Sequence, residues 1–432
     1  MRAWREADAA EALADAARFG INPSLATITR LAAALGDPQR AYGVVQVAGT
    51  NGKGSTTRMT DALLRAHGHR SAAFISPHLH SLREHVLVEG VPVSGDLFAA
   101  GVCAAVQAAR TIEADLPEPP TQFELLTAAA LWVFRESDVE WAALEVGMGG
   151  RWDSTSVAEP RVSVITSVGL DHMDHLGTTL ERIAWDKAHV IRAGGISVLG
   201  PGTAEVDHVF AARGAEVSAR LVRVREGAAP RSGDAGYSVR APMRSPDGHT
   251  IVDYIGPAGP LRSVAVAGPG YQASNAACAL TAAALALGGP LEPAAAGCAL
   301  RELRIAGRFE VLSRTPWVVA DVAHNPSGAR ALAEAVRLAF HNRPIGVVLG
   351  MLSDKDAAEV VRELVAVASW FVVARPDSPR ALDESALAGI VADVTGDVPA
   401  VASDVAGALA LARLRGGDVV VTGSVVTVAE AR

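Results

Sequence analysis

The sequence predicts an α/β protein with a doubly wound, P-loop-type N-terminal domain and a smaller, Rossmann-like α/β C-terminal domain. A β-branched apolar run at 42–48 leads through a glycine-rich segment into a helical pattern and then into a second apolar run at 72–75. Apolar runs and helical patterns alternate as far as about residue 298, and a second alternating series begins near Val311. We therefore expect domains at 1–303 and 304–432, without internal repeats.

Composition argues against several classes of function. The 432-residue chain has a formal net charge of −8 and no long basic run, so we expect no nucleic-acid partner. No apolar stretch reaches the roughly 20 residues of a membrane helix, and the N-terminus lacks the apolar core of a signal peptide. The scattered Cys103, Cys278 and Cys298 are interpreted as buried free thiols of a reducing compartment. The sequence thus predicts a cytoplasmic protein without a membrane partner, which we expect to be a monomer.

The segment QVAGTNGKGSTT at 46–57 departs from the standard phosphate-loop pattern. Gly54 follows Lys53 where Ser or Thr is usual, and Val47 stands where the first glycine belongs. The strand–loop–helix context still favours a phosphate site, because glycines let backbone N–H groups face an anion at a helix N-terminus. Lys53 would supply charge for the β- and γ-phosphates, and Ser55 or Thr56 a hydroxyl for Mg²⁺. The alternative is a plain turn.

Further elements follow in chain order. An apolar strand at 141–144 ends in Glu145, and a carboxylate at the end of a strand beside a phosphate loop is well placed to hold Mg²⁺. A strand at 162–168 precedes His172, and a helical segment at 180–192 carries Lys187, which would ordinarily be solvated. Segment 225–260 predicts loops with short antiparallel strands. After a short helix and a hinge, the C-terminal domain has predicted strands at 318–320, 345–349, 370–373 and 419–421.

A set of motifs spans most of the chain in a fixed order. They are GTNGKGS at 49–55, SPHL at 76–79, TQFE at 121–124, EVGMGGR at 145–151, GLDH at 169–172, GRFE at 307–310, DVAHNP at 321–326, GML at 350–352, DKD at 354–356 and TGS at 422–424. In these motifs the chain resembles the folylpolyglutamate synthase and dihydrofolate synthase family of the Mur ligase superfamily, in which a glycine after the loop lysine is typical. The resemblance implies an ATP- and Mg²⁺-dependent ligase (EC 6.3.2) that joins L-glutamate to a folate or to dihydropteroate through an acyl phosphate.

The resemblance also implies roles for individual residues. The implied nucleotide-binding residues are Asn51, Gly52, Lys53, Gly54, Ser55, Thr56, Asn275, Arg308 and Asp321. The implied metal ligands are Ser55, Ser76, Glu145, His172 and Lys187. The implied substrate contacts are Thr121, Gln122, Phe123, Glu124, Arg151, Trp152, His324 and Ser424. The candidate catalytic residues are Lys53, Lys187 and His324. In the family, a lysine in the position of Lys187 can be carbamylated, which turns a cation into an oxygen ligand.

Alternatives to these readings remain. Tyr271 stands where the family has His, Ser156 where it has Asn and His189 where it has Gly. A paralogous ligase acting on a non-folate carboxylate therefore stays open, as does a non-catalytic nucleotide-binding protein. A GTPase is disfavoured because SDKD at 353–356 lacks the Asn of the guanine-reading motif, and Gly54 argues against a cell-wall ligase. Asn275 could instead be a helix cap, and Arg308 part of a surface ion pair.

Overall fold

The computed structural model describes residues 4–227, 233–341, 343 and 345–432. The chain divides into two compact units. The first comprises Met1–Ser238, Asp253–Arg262 and Ser274–Leu300, and the second comprises Val239–Val252, Ser263–Ala273 and Arg301–Arg432.

An 11-stranded sheet contains the phosphate-loop strand at an interior position. Its strands are β1 Gly43–Ala48, β2 Ser71–Phe74, β3 Val86–Val88, β4 Val91–Pro92, β5 Trp141–Glu145, β6 Val162–Ser167, β7 Ile196–Gly202, β8 Arg220–Glu226, β9 Ala235–Ala241, β10 His249–Ile255 and β11 Leu261–Ala267. The spatial order is β11-β10-β9-β8-β7-β6-β1-β5-β2-β3-β4. Strand β1 pairs in parallel with both β5 and β6, and β2 and β7 extend the parallel core on either side. The chain therefore leaves β1 at a point where the winding of the sheet reverses, which is where α/β proteins bind ligands.

The helices accompanying this sheet are amphipathic or, for the central ones, buried nearly all round. They are α1 Glu6–Ala17, α2 Ala26–Ala34, α3 Lys53–Ala66, α4 Gly95–Thr111, α5 Gln122–Glu136, α6 Met173–Leu176, α7 Leu180–Lys187, α8 Asp207–Glu216, α9 Tyr271–Leu287 and α10 Pro293–Glu302. Helix α5 buries ten of its residues, so one apolar core forms between it, α4 and the neighbouring strands. Among the described residues, no helix is both long and apolar enough to cross a bilayer.

The second unit has its own six-stranded sheet, in the order β12-β13-β17-β14-β15-β16. Its strands are β12 Glu310–Arg314, β13 Trp317–Ala320, β14 Ile345–Leu349, β15 Ala368–Ala374, β16 Ala400–Ala402 and β17 Val419–Thr422. Its helices are α11 Pro326–Ala339, α12 Ala357–Val365, α13 Glu384–Thr395, α14 Val405–Arg415 and α15 Val425–Ala431. Five strands are parallel and β12 is an antiparallel edge, so the α/β prediction for this unit is confirmed.

The boundary between the two units is not a single position in the chain between residues 303 and 304. Segments 239–252 and 263–273 group with the C-terminal residues. The reason lies in tertiary packing: Met243 is 1% exposed and belongs to the same apolar cluster as Val319 and Val347. Neither the charge nor the glycine content of this segment reveals such a partner.

Two local predictions need correction. The helical segment around Lys187 does not continue to residue 192, because α7 gives way to a 3-10 turn at Ala188–Val190. Of the three cysteines, only Cys278 is buried, whereas Cys103 is partly accessible and Cys298 is exposed. Helix α10 buries Ala296 and Leu300, and Cys298 falls outside that face.

Candidate active site

The phosphate loop connects β1 to α3 in the crevice between β5 and β6. Val47 pairs with Glu145 at the end of β5, and Ala48 pairs with Ile165 near the end of β6. Since the carboxyl ends of parallel strands meet at one edge of a sheet, the loop, Glu145 and the residues after β6 gather there. The observed helix begins at Lys53, so the backbone N–H groups of its first turn point toward the loop's concave side.

Side chains at the end of β6 hold the loop in one conformation. The Ser167 hydroxyl accepts from the Asn51 backbone N–H at 3.0 Å, and the Thr166 hydroxyl donates to the Asn51 carbonyl at 2.6 Å. Thr50 donates its backbone N–H to the Ser167 carbonyl at 2.9 Å, and its hydroxyl bonds to the Gly169 backbone at 2.9 and 3.1 Å. The loop is thus held in place by contacts within the protein, before any phosphate arrives.

Two loop glycines are required by close approach as well as by backbone conformation. Gly49 has φ 150°, and a Cβ there would overlap the Thr166 hydroxyl. Gly52 has φ 84°, and a Cβ there would overlap the side-chain oxygen of Asn275. Asn275 is the fifth residue of α9, so it is not the cap of that helix. The Asn275 amide therefore lies against the phosphate loop.

Gly54, the residue that breaks the standard pattern, lies against the carboxylate of Glu145. A Cβ at Gly54 would be 3.1 Å from Glu145 Oε2, tighter than ordinary van der Waals contact. Glu145 is 2% exposed, and its Oε2 accepts from the Ser76 backbone N–H at 2.9 Å. The departure from the Walker pattern thus has a physical reason: the loop gives up a side chain so that a buried carboxylate can lie beside it.

Two lysine amines lie at the same small pocket. Lys53 Nζ donates to the Thr50 carbonyl at 3.1 Å, and Lys187 Nζ donates to the Gly49 carbonyl at 3.0 Å. The pocket is lined by Gly49, Thr50, Lys53, Gly147, Met148, Gly149, Asp171, His172, Leu176 and Lys187. The interpretation of Lys187 as an ordinary solvated helix lysine is wrong, because the residue is 3% exposed. Two amines around a glycine-rich concavity form a site for a polyanion.

Burial, together with the nearby positive charge of Lys53, lowers the pKa of Lys187 to about 7, although Asp186, Asp171 and Asp153 act in the opposite direction. The Asp153 carboxylate accepts from the Met148 N–H at 3.0 Å, and burial raises its pKa. Sequence reasoning did not assign these three carboxylates to the site. Their positions in the sequence could have indicated a role, since Asp171 directly precedes His172 and Asp186 directly precedes Lys187.

The predicted metal ligands are only partly assembled by the protein itself. His172 has φ 51°, its side chain is 40% exposed, and its Nε2 lies 3.9 Å from an oxygen of Asp171. Within the described residues, no group of three or more His, Cys, Asp or Glu side chains could hold a metal. Two hydroxyls lie in the first turn of α3. Among the described residues, the buried Thr56 hydroxyl has no hydrogen-bond partner, and Ser55 is 3% exposed.

This arrangement fits Mg²⁺ bound together with a nucleotide. Magnesium is usually held by one or two carboxylates, water and substrate phosphates rather than by a complete protein cage. Glu145 and the hydroxyls of α3 supply hard oxygen atoms beside the phosphate loop. Ser55, Ser76, Glu145, His172 and Lys187 therefore remain the candidate ligands, with the phosphate oxygens completing the set.

The predicted substrate segment 121–124 has a clear structural role. The Thr121 hydroxyl accepts from the Glu124 N–H at 3.2 Å, and Glu124 Oε2 accepts from the Thr121 N–H at 2.8 Å, which is a capping box for α5. Burial raises the pKa of Glu124. Phe123 contacts Phe74 with a ring separation of 5.7 Å and lies against Gly147, a pocket residue, whereas Gln122 is half-buried. Phe123 therefore lies against a residue that lines the phosphate pocket.

Arg151 and Trp152 follow the glycines of the pocket. The Arg151 guanidinium carbon is 4.2 Å from the centre of the Trp152 ring and 4.8 Å from that of Trp185. The Arg151 backbone N–H donates to Asp186 Oδ1 at 3.3 Å, which joins this segment to α7. Trp185 is a contact that sequence reasoning did not anticipate, because it depends on the position of α7.

In the second unit, Asp321 is buried and accepts three hydrogen bonds. Its carboxylate accepts from the Tyr271 hydroxyl at 2.7 Å, the Phe309 N–H at 2.8 Å and the Ala323 N–H at 3.0 Å. Burial raises the pKa of Asp321, while the Arg308 guanidinium acts in the opposite direction. Tyr271, the residue that replaces the family's His, thus serves as a donor to one of the predicted nucleotide-binding residues.

His324 and Ser424 lie at the carboxyl ends of the strands of this unit. His324 Nδ1 is 2.9 Å from the Val322 carbonyl oxygen. Ser424 is 1% exposed and caps α15, since its hydroxyl accepts from the Thr427 N–H at 3.0 Å and bonds to the Thr427 hydroxyl at 2.8 Å. A substrate contact from Ser424 would have to share a hydroxyl that already caps a helix.

The glycine-cradled anion pocket after β1 and the separate parallel α/β unit define the chain as a protein of the Mur ligase type. Residues 47–200 match the Mur ligase middle domain, and residues 307–425 match the Mur ligase glutamate ligase domain. The chain belongs to the dihydrofolate synthase/folylpolyglutamate synthase family. It is 34% identical to the dihydrofolate synthase/folylpolyglutamate synthase of Mycobacterium tuberculosis over 85% of this chain and 77% of that protein.

Solved structures agree with this assignment. The Mycobacterium tuberculosis folylpolyglutamate synthase complexed with ADP has a TM-score of 0.90 at 32% identity, covering 99% of this chain and 97% of that one. The Escherichia coli FolC in complex with DHPP and ADP has a TM-score of 0.87 at 29% identity, covering 99% and 96%. A bifunctional folylpolyglutamate synthase/dihydrofolate synthase with Mn, AMPPNP and L-glutamate bound has a TM-score of 0.81 at 30% identity, covering 100% and 98%.

Some curated relatives are much longer than this chain. The probable bifunctional folylpolyglutamate synthase/dihydropteroate synthase of Halobacterium salinarum is 38% identical over 98% of this chain, which spans 51% of that protein. The chain thus covers about half the length of this relative.

Proposed function

We propose that the protein is an ATP-dependent ligase that adds L-glutamate to a carboxylate of the folate type, releasing ADP and phosphate. The observation that carries the proposal is the preformed phosphate pocket, in which Lys53 and Lys187 lie around Gly49 in a chain of this family. Structural neighbours that bind ADP, AMPPNP, Mn and L-glutamate support the same reading.

A free carboxylate does not condense with an amine at neutral pH, so the reaction needs an activated acid. The carboxylate oxygen attacks the γ-phosphorus of ATP and ADP leaves, giving an acyl phosphate; the amine of glutamate then attacks the acyl carbon and phosphate leaves. In this chain Lys53 would neutralise the transferring phosphate, and the N–H groups at the start of α3 would orient it. Bound Mg²⁺ would supply further charge neutralisation, held by Glu145 and its neighbours.

We further propose that Lys187 is carbamylated in the active enzyme. Its amine nitrogen would attack the carbon of CO₂ and lose a proton to solvent, leaving a carbamate anion in place of a cation. Burial at the Gly49 carbonyl supports this, because an unpaired ammonium is costly to keep at a buried site close to Lys53. His189 does not crowd Lys187, since its ring packs against Trp185 with 4.6 Å between the ring centres.

The residues that depart from the family pattern do not argue for a different acid. Tyr271 binds Asp321, the Ser156 hydroxyl donates to the Gly150 carbonyl at 2.7 Å, and His189 contacts Trp185. Each therefore serves the scaffold, and the folate-type acid remains the first candidate ahead of a non-folate carboxylate.

The proposal is tested by incubating the protein with ATP, Mg²⁺ and L-glutamate, and with either dihydropteroate or a reduced folate. We expect a mass increase of the acid by one glutamyl unit, with one ADP and one phosphate released per bond. Release of AMP and pyrophosphate would exclude the acyl phosphate. Mass spectrometry of products from both acids also distinguishes a monofunctional enzyme from a bifunctional one, and light scattering tests the proposed monomer.

A further inference from the structure

Helix α14 of the second unit is apolar on the side that faces solvent as well as on the side that packs against its sheet. Its buried side consists of Val405, Ala408, Leu409 and Ala412. Its exposed side carries Ala406, Ala410, Leu411 and Leu414, which we call the α14 face. Leu414 is 85% exposed and Leu411 is 37% exposed. Since residues three and four positions apart are neighbours on a helix, the α14 face is one continuous apolar stripe.

A neighbouring helix of the same unit has the ordinary pattern of a solvated helix. Helix α11 exposes Arg330, Glu334 and Arg337 at the same three- and four-residue spacing. A surface helix usually carries charged or polar residues on the side away from the core, because apolar groups are costly to expose to water. The α14 face departs from this pattern and is typical of a surface that another protein segment covers.

The C-terminal end of the α14 face is basic. Arg413 and Arg415 lie in the last turn of the helix, and the Arg415 guanidinium carbon is 5.2 Å from the centre of the Trp370 ring. Within the part of the chain that the structure describes, neither arginine forms an ion pair with a carboxylate. The carboxylate that follows them in sequence, Asp418, is paired with Arg343 at 3.4 Å. Both guanidinium groups therefore keep their charge available for an external partner.

The N-terminal end of the same helix is acidic. The Asp404 carboxylate accepts from the Gly407 backbone N–H at 2.7 Å, which caps α14, and Glu430 accepts from the Asp377 backbone N–H at 2.6 Å. Burial, followed by the negative charges of Asp377 and Asp404, raises the pKa of Glu430, so the three carboxylates lie close enough to repel one another. In the described ranges none of the three forms an ion pair, and the basic residue beside them in sequence, Arg375, is a single charge.

We propose that the α14 face binds the α14 face of a second copy of this chain, with the two helices antiparallel across a two-fold axis. In that arrangement the basic end of each helix meets the acidic end of the other, so both charge contacts form at once. A parallel arrangement would bring like charges together at each end. Antiparallel packing also places opposite ends of the two helix dipoles side by side.

The size of the α14 face makes this association weak and reversible. The helix has 11 residues, which at about 1.5 Å per residue gives a length of about 17 Å. A strip of that length is small beside the roughly 800 Å² per partner that a stable interface buries. We therefore expect a dissociation constant on the order of 10–100 µM. The protein is then a monomer at the lower concentrations of an activity assay, in agreement with the proposed monomer, and a dimer only at higher concentrations.

The test is sedimentation velocity of the full chain over a concentration range from about 1 to 300 µM, which brackets the expected dissociation constant. We expect the sedimentation coefficient of wild type to rise from that of a monomer toward that of a dimer. Arg413→Glu should raise the dissociation constant about tenfold or more, because like charges then meet at both ends. Arg337→Glu is the matched control: it makes the same charge change at an exposed arginine in the last turn of α11 and should leave association unchanged.

Two further measurements examine the antiparallel arrangement and the apolar contact. Asp377→Lys should also weaken self-association, and an equimolar mixture of Arg413→Glu and Asp377→Lys should recover it, because each reversed charge then faces the other. Leu414→Ser alters a side chain that is 85% exposed, so the fold does not depend on it. It should weaken association about tenfold, since each dimer loses two buried leucines.

Each result decides for or against the pairing. A wild type that remains monomeric at the highest concentration overturns the proposal, as does an Arg413→Glu protein that associates like Arg337→Glu. A mixture of the two charge-reversed variants that stays monomeric overturns the antiparallel arrangement. If circular dichroism shows that a charge-reversed variant is unfolded, Leu414→Ser decides: weaker association supports the α14 face, and unchanged association overturns it.

Discussion

Lys53 and Lys187 illustrate how much two similar residues can differ at the scale of a single side chain. Lys53 lies in a motif, so its role at a phosphate site was predictable from the residues around it. Lys187 lies on a helix whose sequence suggests a solvated position, and only the packing of α7 under the loop buries it. Local sequence patterns can predict a site residue when its neighbours in the chain form the site. They fail when segments distant in sequence form it.

Lys53→Ala should lower turnover about 100-fold or more, because the transferring phosphate loses its charge partner at the transition state. Lys53 Nζ donates to a carbonyl of its own loop rather than packing in the apolar core, so we expect little change in the free energy of unfolding. Steady-state kinetics with saturating ATP measure the effect. Activity within twofold of wild type would show that the loop lysine is not part of the chemistry.

Unmodified Lys187 should make stability depend on pH. Its pKa in the folded protein is about 7 against an ordinary 10.5, so between these values the unfolded chain binds more protons than the folded one. The burial cost is therefore complete below pH 7 and disappears as pH rises toward 10.5. Lys187→Met removes this group, so its advantage in the free energy of unfolding over wild type should shrink from pH 7 to pH 10.

Urea denaturation in carbonate-free buffer measures this difference, since carbamylation would otherwise remove the charge. A gap between the two proteins that stays constant over that pH range would contradict the buried, weakly basic lysine.

At the scale of elements, the strand–loop–helix unit was predictable because its signals are local. The apolar run of β1, the glycines and the start of α3 all lie within one short segment. The reason for Gly54 was not predictable in this way, because Glu145 comes from β5, a strand far along the chain. The chemistry of the site therefore depends on a register between strands that no single motif contains.

Gly54→Ala should lower activity at least about tenfold, because small displacements of catalytic groups are costly. The added Cβ would be 3.1 Å from Glu145 Oε2, so the carboxylate or the start of α3 must shift. Gly297→Ala is the control: a Cβ there meets nothing within 4 Å in helix α10. We expect that control to keep full activity and to gain roughly 0.5–1 kcal/mol of stability. Equal activities of the two variants would mean that the close approach has no functional role.

At the scale of the whole molecule, the α/β class of both units could be predicted from alternating apolar and helical patterns. Which segments belong to each unit could not be predicted in this way. Segments 239–252 and 263–273 belong to the second unit because Met243 and Tyr271 supply part of its core and a hydrogen bond to Asp321. Contacts of this kind join residues that are distant in sequence, so periodicity along the chain cannot reveal them.

A fragment of residues 304–432 alone should therefore be less stable than the same unit in the full chain. It lacks the buried Met243 side chain, whose loss exposes a cavity worth about 2–5 kcal/mol, and it leaves a buried carboxylate short of one donor. Urea denaturation followed by circular dichroism compares the fragment with a version in which residues 239–273 are fused to it through a flexible linker. Equal midpoints would show that these segments contribute nothing to the fold.

The hydrogen bonds that hold the phosphate loop affect how fast the protein binds a nucleotide. Hydrogen bonds from Thr166 and Ser167 have already removed the freedom of Asn51 and its neighbours before ATP arrives. If the loop were flexible, ordering it on binding would cost roughly 1–2 kcal/mol of conformational entropy per residue and would weaken ATP binding. Here that cost is met once, during folding, so the amide groups of the loop should resist deuterium exchange in the ligand-free protein, and rapid-mixing traces should contain no slow ordering phase.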